Sequence, residues 1–170
     1  HLARVIVVPL IEADALSWQG VLALASGDLA GARRAIRKAT DIVHHHQLER
    51  LTTAAHCITA PALLQALAQD PEASTTLATA RRLTAELGDV VPWFAVCGRL
   101  IQARAAVSLA DGALARLLLT EARARMTPDL RDSLAQDLYD EIEHALSLVM
   151  VDRMGSPALT SAELRILQFL

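Results

Sequence analysis

Gly27 to Ala39 reads GDLAGARRAIRKA, and the same plan returns twice: Ala68 to Ala80 reads AQDPEASTTLATA, and Ala110 to Ala122 reads ADGALARLLLTEA. Each stretch opens with a short turn, then places an alanine, a large apolar residue four positions on, and a second alanine three after that. The triplets are Ala32, Ile36, Ala39; Ala73, Leu77, Ala80; and Ala115, Leu119, Ala122, with first members 41 and 42 residues apart. Positions i, i+4 and i+7 lie along one face of an α-helix. Two small residues flanking a large one let a neighbouring helix approach closely, so the pattern predicts a helix that is packed against.

A second helical stretch precedes each turn: Leu16 to Ser26, Cys57 to Ala68, and Trp93 to Leu109. The repeating unit is helix, short turn, helix. One hairpin of this kind cannot cover its own apolar face, so the units must stack. Composition agrees. Hydrophobic residues make up 53% of the 170 but aromatics only 3%, so the core is built from Ala, Leu and Val. Ala and Leu lead the helix-propensity scale, and the aromatics that favour strands are scarce. The predicted fold class is all-α.

After the third unit the pattern changes. Thr127–Pro128–Asp129 carries a helix N-cap, a proline for the first turn and an acid for the helix dipole. Leu130, Leu134, Leu138, Ile142, Leu146 and Val149 then recur at steps of three and four, predicting a capping helix over 128–150. Gly155 and Pro157 stop it and mark 155–158 as a linker, so that 1–154 forms one helical-repeat domain.

Several chemistries lack their residues. No GxxxxGK[ST], GxGxxG, GxSxG or HExxH occurs in the chain, and no catalytic constellation emerges, so the expectation is a protein that is not an enzyme. His44, His45 and His46 are consecutive and cannot converge on one metal ion as i, i+4 pairs do. They are read as helix-end or loop histidines, and no metal ligands are assigned. The net charge of −3 argues against a main nucleic-acid contact within these residues. Cys57 and Cys97 form no disulfide framework and fit buried free thiols in a reducing, cytoplasmic setting. Val5 to Ile11, VIVVPLI, is too short to span a bilayer and is read as a buried element rather than a membrane anchor.

The repeats resemble tetratricopeptide repeats, most clearly at the Gly27–Asp28 turn and at Gly20, where that family keeps a small residue. The period differs, 41 to 42 against the family's ~34, and the family's first-helix aromatic is replaced by Ala23, Leu64 and Ala106. The resemblance implies a tetratricopeptide-like α-α superhelix whose first helices line an inner groove. By that correspondence the polar groove residues are Asp14, Ser17, Gln65, Cys97 and Arg104.

The last residues, Leu159 to Leu170, read LTSAELRILQFL. Thr160 and Glu163 form a capping box, flanked by Leu159 and Leu164 as a hydrophobic staple. The segment resembles the opening helix of the LuxR-type helix-turn-helix, LTxxExxVLxxL, matching at Leu159, Thr160, Glu163, Ile166–Leu167 and Leu170. A helical repeat array followed by this helix resembles the domain order of the MalT-like, LuxR-family transcriptional regulators. The resemblance implies an effector-sensing or protein-interaction region that receives a small-molecule inducer or a regulatory protein. It also implies DNA binding through a domain that 159–170 begins, with self-association into a homo-oligomer. No cofactor is expected in these residues, a nucleotide being expected only in an upstream module. The alternative expectation is a free-standing, tetratricopeptide-like scaffold that docks peptides.

Overall fold

The computed structural model describes residues 2–88, 91–128 and 134–155, and within them the chain is helical with no strand. Seven α-helices follow one another: α1 (Leu2–Ala25), α2 (Leu29–His45), α3 (Ala55–Leu67), α4 (Ala73–Leu87), α5 (Pro92–Ser108), α6 (Gly112–Arg125) and α7 (Leu134–Gly155), with a short 3-10 turn at Thr52–Ala54 before α3. Helices α1 and α2, α3 and α4, and α5 and α6 pack as three hairpins. Helix α3 lies against α1 and α2, α5 lies against α3 and α4, and α7 lies across α5 and α6.

One turn design closes all three hairpins. Gly27, Gln69 and Ala110 have φ of 81°, 55° and 58°, the left-handed conformation that ends helices. The amide directly after each reaches back into the finished helix. Asp28 N donates to Ala23 O at 2.9 Å, Asp70 N to Gln65 O at 2.9 Å, and Asp111 N to Ala106 O at 2.9 Å. The same aspartates bear on the start of the second helix. Asp28 Oδ1 accepts from Gly31 N at 2.8 Å and Asp111 Oδ1 from Leu114 N at 3.0 Å, each an N-cap. Asp70 Oδ1 accepts from Glu72 N at 2.8 Å instead.

That difference locates a register change. The turns are spaced 42 and 41 residues apart, whereas the triplets are spaced 41 and 42. The second unit is one residue shorter between its aspartate and its triplet, because Pro71 and Glu72 replace a regular first helical turn and α4 starts only at Ala73. The nine triplet residues are all buried, from Ala32 at 0% to Leu119 at 4% exposed. Where the first triplet meets the facing helix there is no room to spare: a Cβ on Gly20 would collide with Ile36 Cγ1.

Helix α7 presents Ala135, Tyr139, Ile142 and Leu146 to the core, with Leu138 partly buried beside them. Of the expected apolar set, Ile142 and Leu146 are in this face, whereas Ala135 and Tyr139 do not belong to that set. Asp129 and Leu130 lie outside the described residues, as do Leu159, Thr160 and Glu163 and most of the linker. The expectation for Val5–Ile11 needs correction. This stretch is part of α1, and Val7, Val8 and Ile11 are exposed rather than buried. Helix α1 begins 25 residues before its turn residue, whereas α5 begins 18 and α3 begins 14 before theirs, so its first turns outrun their neighbours. By length and composition Val7–Ala25 is one helix apolar enough to cross a membrane, with 28% of that stretch buried. It carries Glu12 and Asp14, each costing about 2.5–3.5 kcal/mol at a bilayer centre.

Two substitutions test the turn design. Ala110→Gly removes the cost of a Cβ in the left-handed region and is expected to stabilise the fold by about 1 kcal/mol. Asp111→Ala removes the cap on α6 and is expected to destabilise it by about 1 kcal/mol. Chemical denaturation of the two variants should move the midpoint in opposite directions.

Candidate binding cleft

The helical ends nearest the start of each hairpin enclose the most apolar opening described. A cleft of about 240 Å³ is lined by Leu10, Ile11 and Asp14 of α1, by Thr53, by Leu87 at the end of α4, and by Val91 and Phe94 at the start of α5. Among the described residues, Asp14 is the sole ionisable group in that lining. Three segments far apart in sequence therefore meet here because the hairpins stack in order.

Behind Asp14 lies an aromatic node centred on His56, which is 4% exposed. Its ring is 5.2 Å from Trp18, nearly perpendicular, and 4.6 Å from Phe94, and Trp18 in turn lies 6.3 Å from Trp93. His56 Nε2 is 3.1 Å from Phe94 O. A carbonyl can only accept, so Nε2 carries hydrogen. Nδ1 then faces Asp14 Oδ1 at 3.5 Å, and neither of these buried atoms has a hydrogen-bond partner among the described residues. Desolvated and unsatisfied polar atoms are costly, so this end of α1 holds an unused acceptor beside an apolar cavity. A site with one charged group in an apolar cleft is the usual make-up of a small-molecule pocket.

Of the other groove residues only Ser17 lies near Asp14, both of them bearing on Cys57. Ser17, 1% exposed, donates to Ala13 O at 2.8 Å within its own helix. Cys97, 2% exposed, is in the core. Gln65 lines a separate opening of about 470 Å³ between α2 and α3, with Arg33, Arg37 and Asp70 among its neighbours, and its buried Oε1 lacks a hydrogen-bond partner among the described residues. Arg104 pairs with Glu141 of α7 at 3.1 Å. The correspondence to an inner groove thus yields five positions at four different places. His56 was missed because its partners Asp14 and Phe94 are 42 and 38 residues away, and only the doublet His56–Cys57 is visible locally.

A second polar group sits deeper, between hairpins. Gln102 Nε2, 1% exposed, donates to Thr84 Oγ1 at 2.7 Å and reaches Thr59 Oγ1 at 3.4 Å. Nearby, buried Arg99 donates through Nε to Glu121 at 2.9 Å and through Nη1 to Ala95 O at 2.8 Å. The histidine run ends α2: His44 and His45 are its last residues and His46 caps it. His44 Nδ1 lies 2.6 Å from Glu49.

Both cysteines are free and buried. Burial pushes the Cys57 thiol up to about 11, the Asp14 carboxylate adding to the rise and the Ser17 hydroxyl opposing it. Burial alone pushes Cys97 up to about 12. Thiolate is the reactive form, so iodoacetamide at pH 8 should modify neither thiol in the native protein and both once it is unfolded. The same shifts set an alkaline limit on stability. The native thiols keep protons that unfolded thiols release near their usual value of 9. Stability is therefore fully present below about pH 9 and falls as pH climbs towards 11 and 12, by up to about 1.4 kcal/mol per pH unit per thiol. Denaturation midpoints between pH 7 and 11 should show that decline, and Cys97→Ala should reduce its slope.

This chain is matched by no protein-family model, no curated protein and no solved structure.

Proposed function

We propose that these residues form the signal-receiving region of a LuxR-family transcriptional regulator, in which the stacked hairpins bind an effector and a DNA-binding domain begins at Leu159. The observation that supports the binding role is the Asp14 carboxylate in the lining of the apolar cleft, its buried Oδ1 without a hydrogen-bond partner among the described residues. The regulator role rests on the sequence order, a helical repeat array followed by LTSAELRILQFL. The occupant of the cleft is a small-molecule inducer, or a side chain of a regulatory protein, with an apolar body and a hydrogen-bond donor for Asp14. Any nucleotide belongs to another module, and the setting proposed is cytoplasmic.

The cleft is bounded by three hairpins, so its occupant touches α1, α4 and α5 together. A ligand shifts a conformational equilibrium only by binding one arrangement better than another. A molecule spanning three hairpins meets that condition, because its contacts depend on how they are stacked. The state of the stack then passes to α7 through its packing on α5 and α6 and onward to the segment after Gly155.

Two measurements test this. The reading frame beyond Leu170 should continue with a second helix, a turn and a basic recognition helix. A different continuation rejects the regulator and leaves a peptide-docking scaffold. In a reporter strain carrying the intact regulator, Asp14→Ala should abolish the response to inducer while stability stays within about 1 kcal/mol of the parent, because the buried Oδ1 makes no hydrogen bond and its contact to His56 Nδ1 is long, at 3.5 Å. An unchanged response rejects the cleft as the receiving site.

A further inference from the structure

Charge separates the openings between the helices. The cleft at Asp14 holds one carboxylate, and the opening at Gln65 balances Arg33 and Arg37 against Asp41 and Asp70. A third opening, of about 270 Å³ and bounded by α4, α5 and α6, brings Arg81, Arg82 and Arg99 together with Glu121. In a chain of net charge −3, three guanidinium groups around one carboxylate reverse the sign locally. A concave wall concentrates the field of such a cluster.

Helix spacing builds this opening. Ala78, Arg81, Arg82 and Ala85 stand at i, i+3, i+4 and i+7 of α4 and so share one face. The two alanines leave the space that the arginines border. Arg99 and Gln102, three apart on α5, supply its most buried polar side chains, at 4% and 1% exposed. Leu118 and Glu121, three apart on α6, complete the lining.

The bonds already made leave donors over. Arg99 donates through Nε to Glu121 and through Nη1 to Ala95 O, two of the five N–H groups that a guanidinium carries. Arg82 pairs with Glu86 at 2.6 Å. The partly buried Arg81 guanidinium has no hydrogen bond or ion pair among the described residues. Arg81 and Ala78 also line an adjoining opening of about 310 Å³, which continues to Leu109, Asp111 and Leu114 at the turn of the third hairpin. Asp111 makes that far end acidic, so an occupant reaching it is anionic at one end only.

We propose that the groove between α4 and α6 binds a small organic anion. Its carboxylate or phosphate head is held by Arg81 and Arg99, and its uncharged body lies past Ala78 towards Leu109 and Leu114. The planar fork of arginine matches either head group, and Glu121 holds the Arg99 fork in place. The walls are second helices, whereas the tetratricopeptide resemblance places an inner groove on first helices. The site shares no lining residue with the Asp14 cleft and does not depend on what fills it.

NMR titrations of the full chain at low salt, where charge attraction is least screened, test this with inorganic phosphate, glycerol 3-phosphate and hexanoate. One or both of the organic anions should shift the amide resonances of Arg81, Arg99 and Glu121 saturably, about tenfold more tightly than inorganic phosphate. The preference between them identifies the head group. Arg81→Gln should weaken that binding about tenfold or more with the melting temperature unchanged, since the lost guanidinium has no partner in the protein. Arg34→Gln removes the same charge from an exposed position on α2 and should bind as the parent does. Equal weakening by both variants would reduce the effect to general charge attraction and overturn the proposal. Binding indifferent to Arg81→Gln, or no saturable shift at these residues with either organic anion, would overturn it as well.

Discussion

Each hairpin depends on one backbone event, a residue in the left-handed region followed at once by an aspartate. The left-handed residue lets the chain reverse, and the amide behind it satisfies a carbonyl that the finished helix leaves open. Asp28 and Asp111 then accept hydrogen bonds from open amides of the succeeding helix. The turn thereby sets the angle between two helices and the register of their faces in one step. Glycine fills the left-handed position only at Gly27. Gln69 and Ala110 hold it at a cost of about 1–2 kcal/mol each, and Gln69 recovers part of that by donating through Nε2 to Ala66 O and to Ser108 O at the end of α5. The second turn is therefore tied to the third hairpin.

Given those turns, alanine does the packing. Ala32, Ala39, Ala73, Ala80, Ala115 and Ala122 are all 0% exposed, and each allows the facing helix to come near enough for Ile36, Leu77 or Leu119 to fill the remaining space. A core with this much alanine gains less per residue than one of leucine or phenylalanine, since transfer free energy follows area, at roughly 25 cal/mol per Å². It compensates by close, extended contact along whole helices. The consequence is low tolerance of added volume, as at Gly20 against Ile36.

This division explains what could be read from the sequence. The second helices were legible because small–large–small is a spacing, and spacing survives when residue types drift. The first helices were harder: between Val8–Asp28 and Val91–Asp111 only Val, Pro, Gln, Ala and Asp coincide, and without contacts there is no reason to weight Gln102 above its neighbours. The cleft was least legible. Asp14 was singled out from a family correspondence, yet its partner His56 and the walls at Leu87 and Val91 depend on three hairpins stacking. Arg104 illustrates the converse. Its position in α5 was clear, but Glu141 lies on a helix outside the repeats, so the ion pair that occupies it has no local trace.

Alanine faces that fit closely also fit in more than one register, and something must choose among them. Sliding α5 by one turn along α3 and α4 would keep most of the apolar area buried but carry Gln102 away from Thr84 and Thr59. A buried amide left without partners costs about 1–3 kcal/mol, enough to decide between packings of otherwise similar area. Arg99 works the same way through Glu121, since a buried guanidinium separated from its carboxylate is costlier still. The polar groups between hairpins thus act less as sources of stability than as selectors of one stacking arrangement.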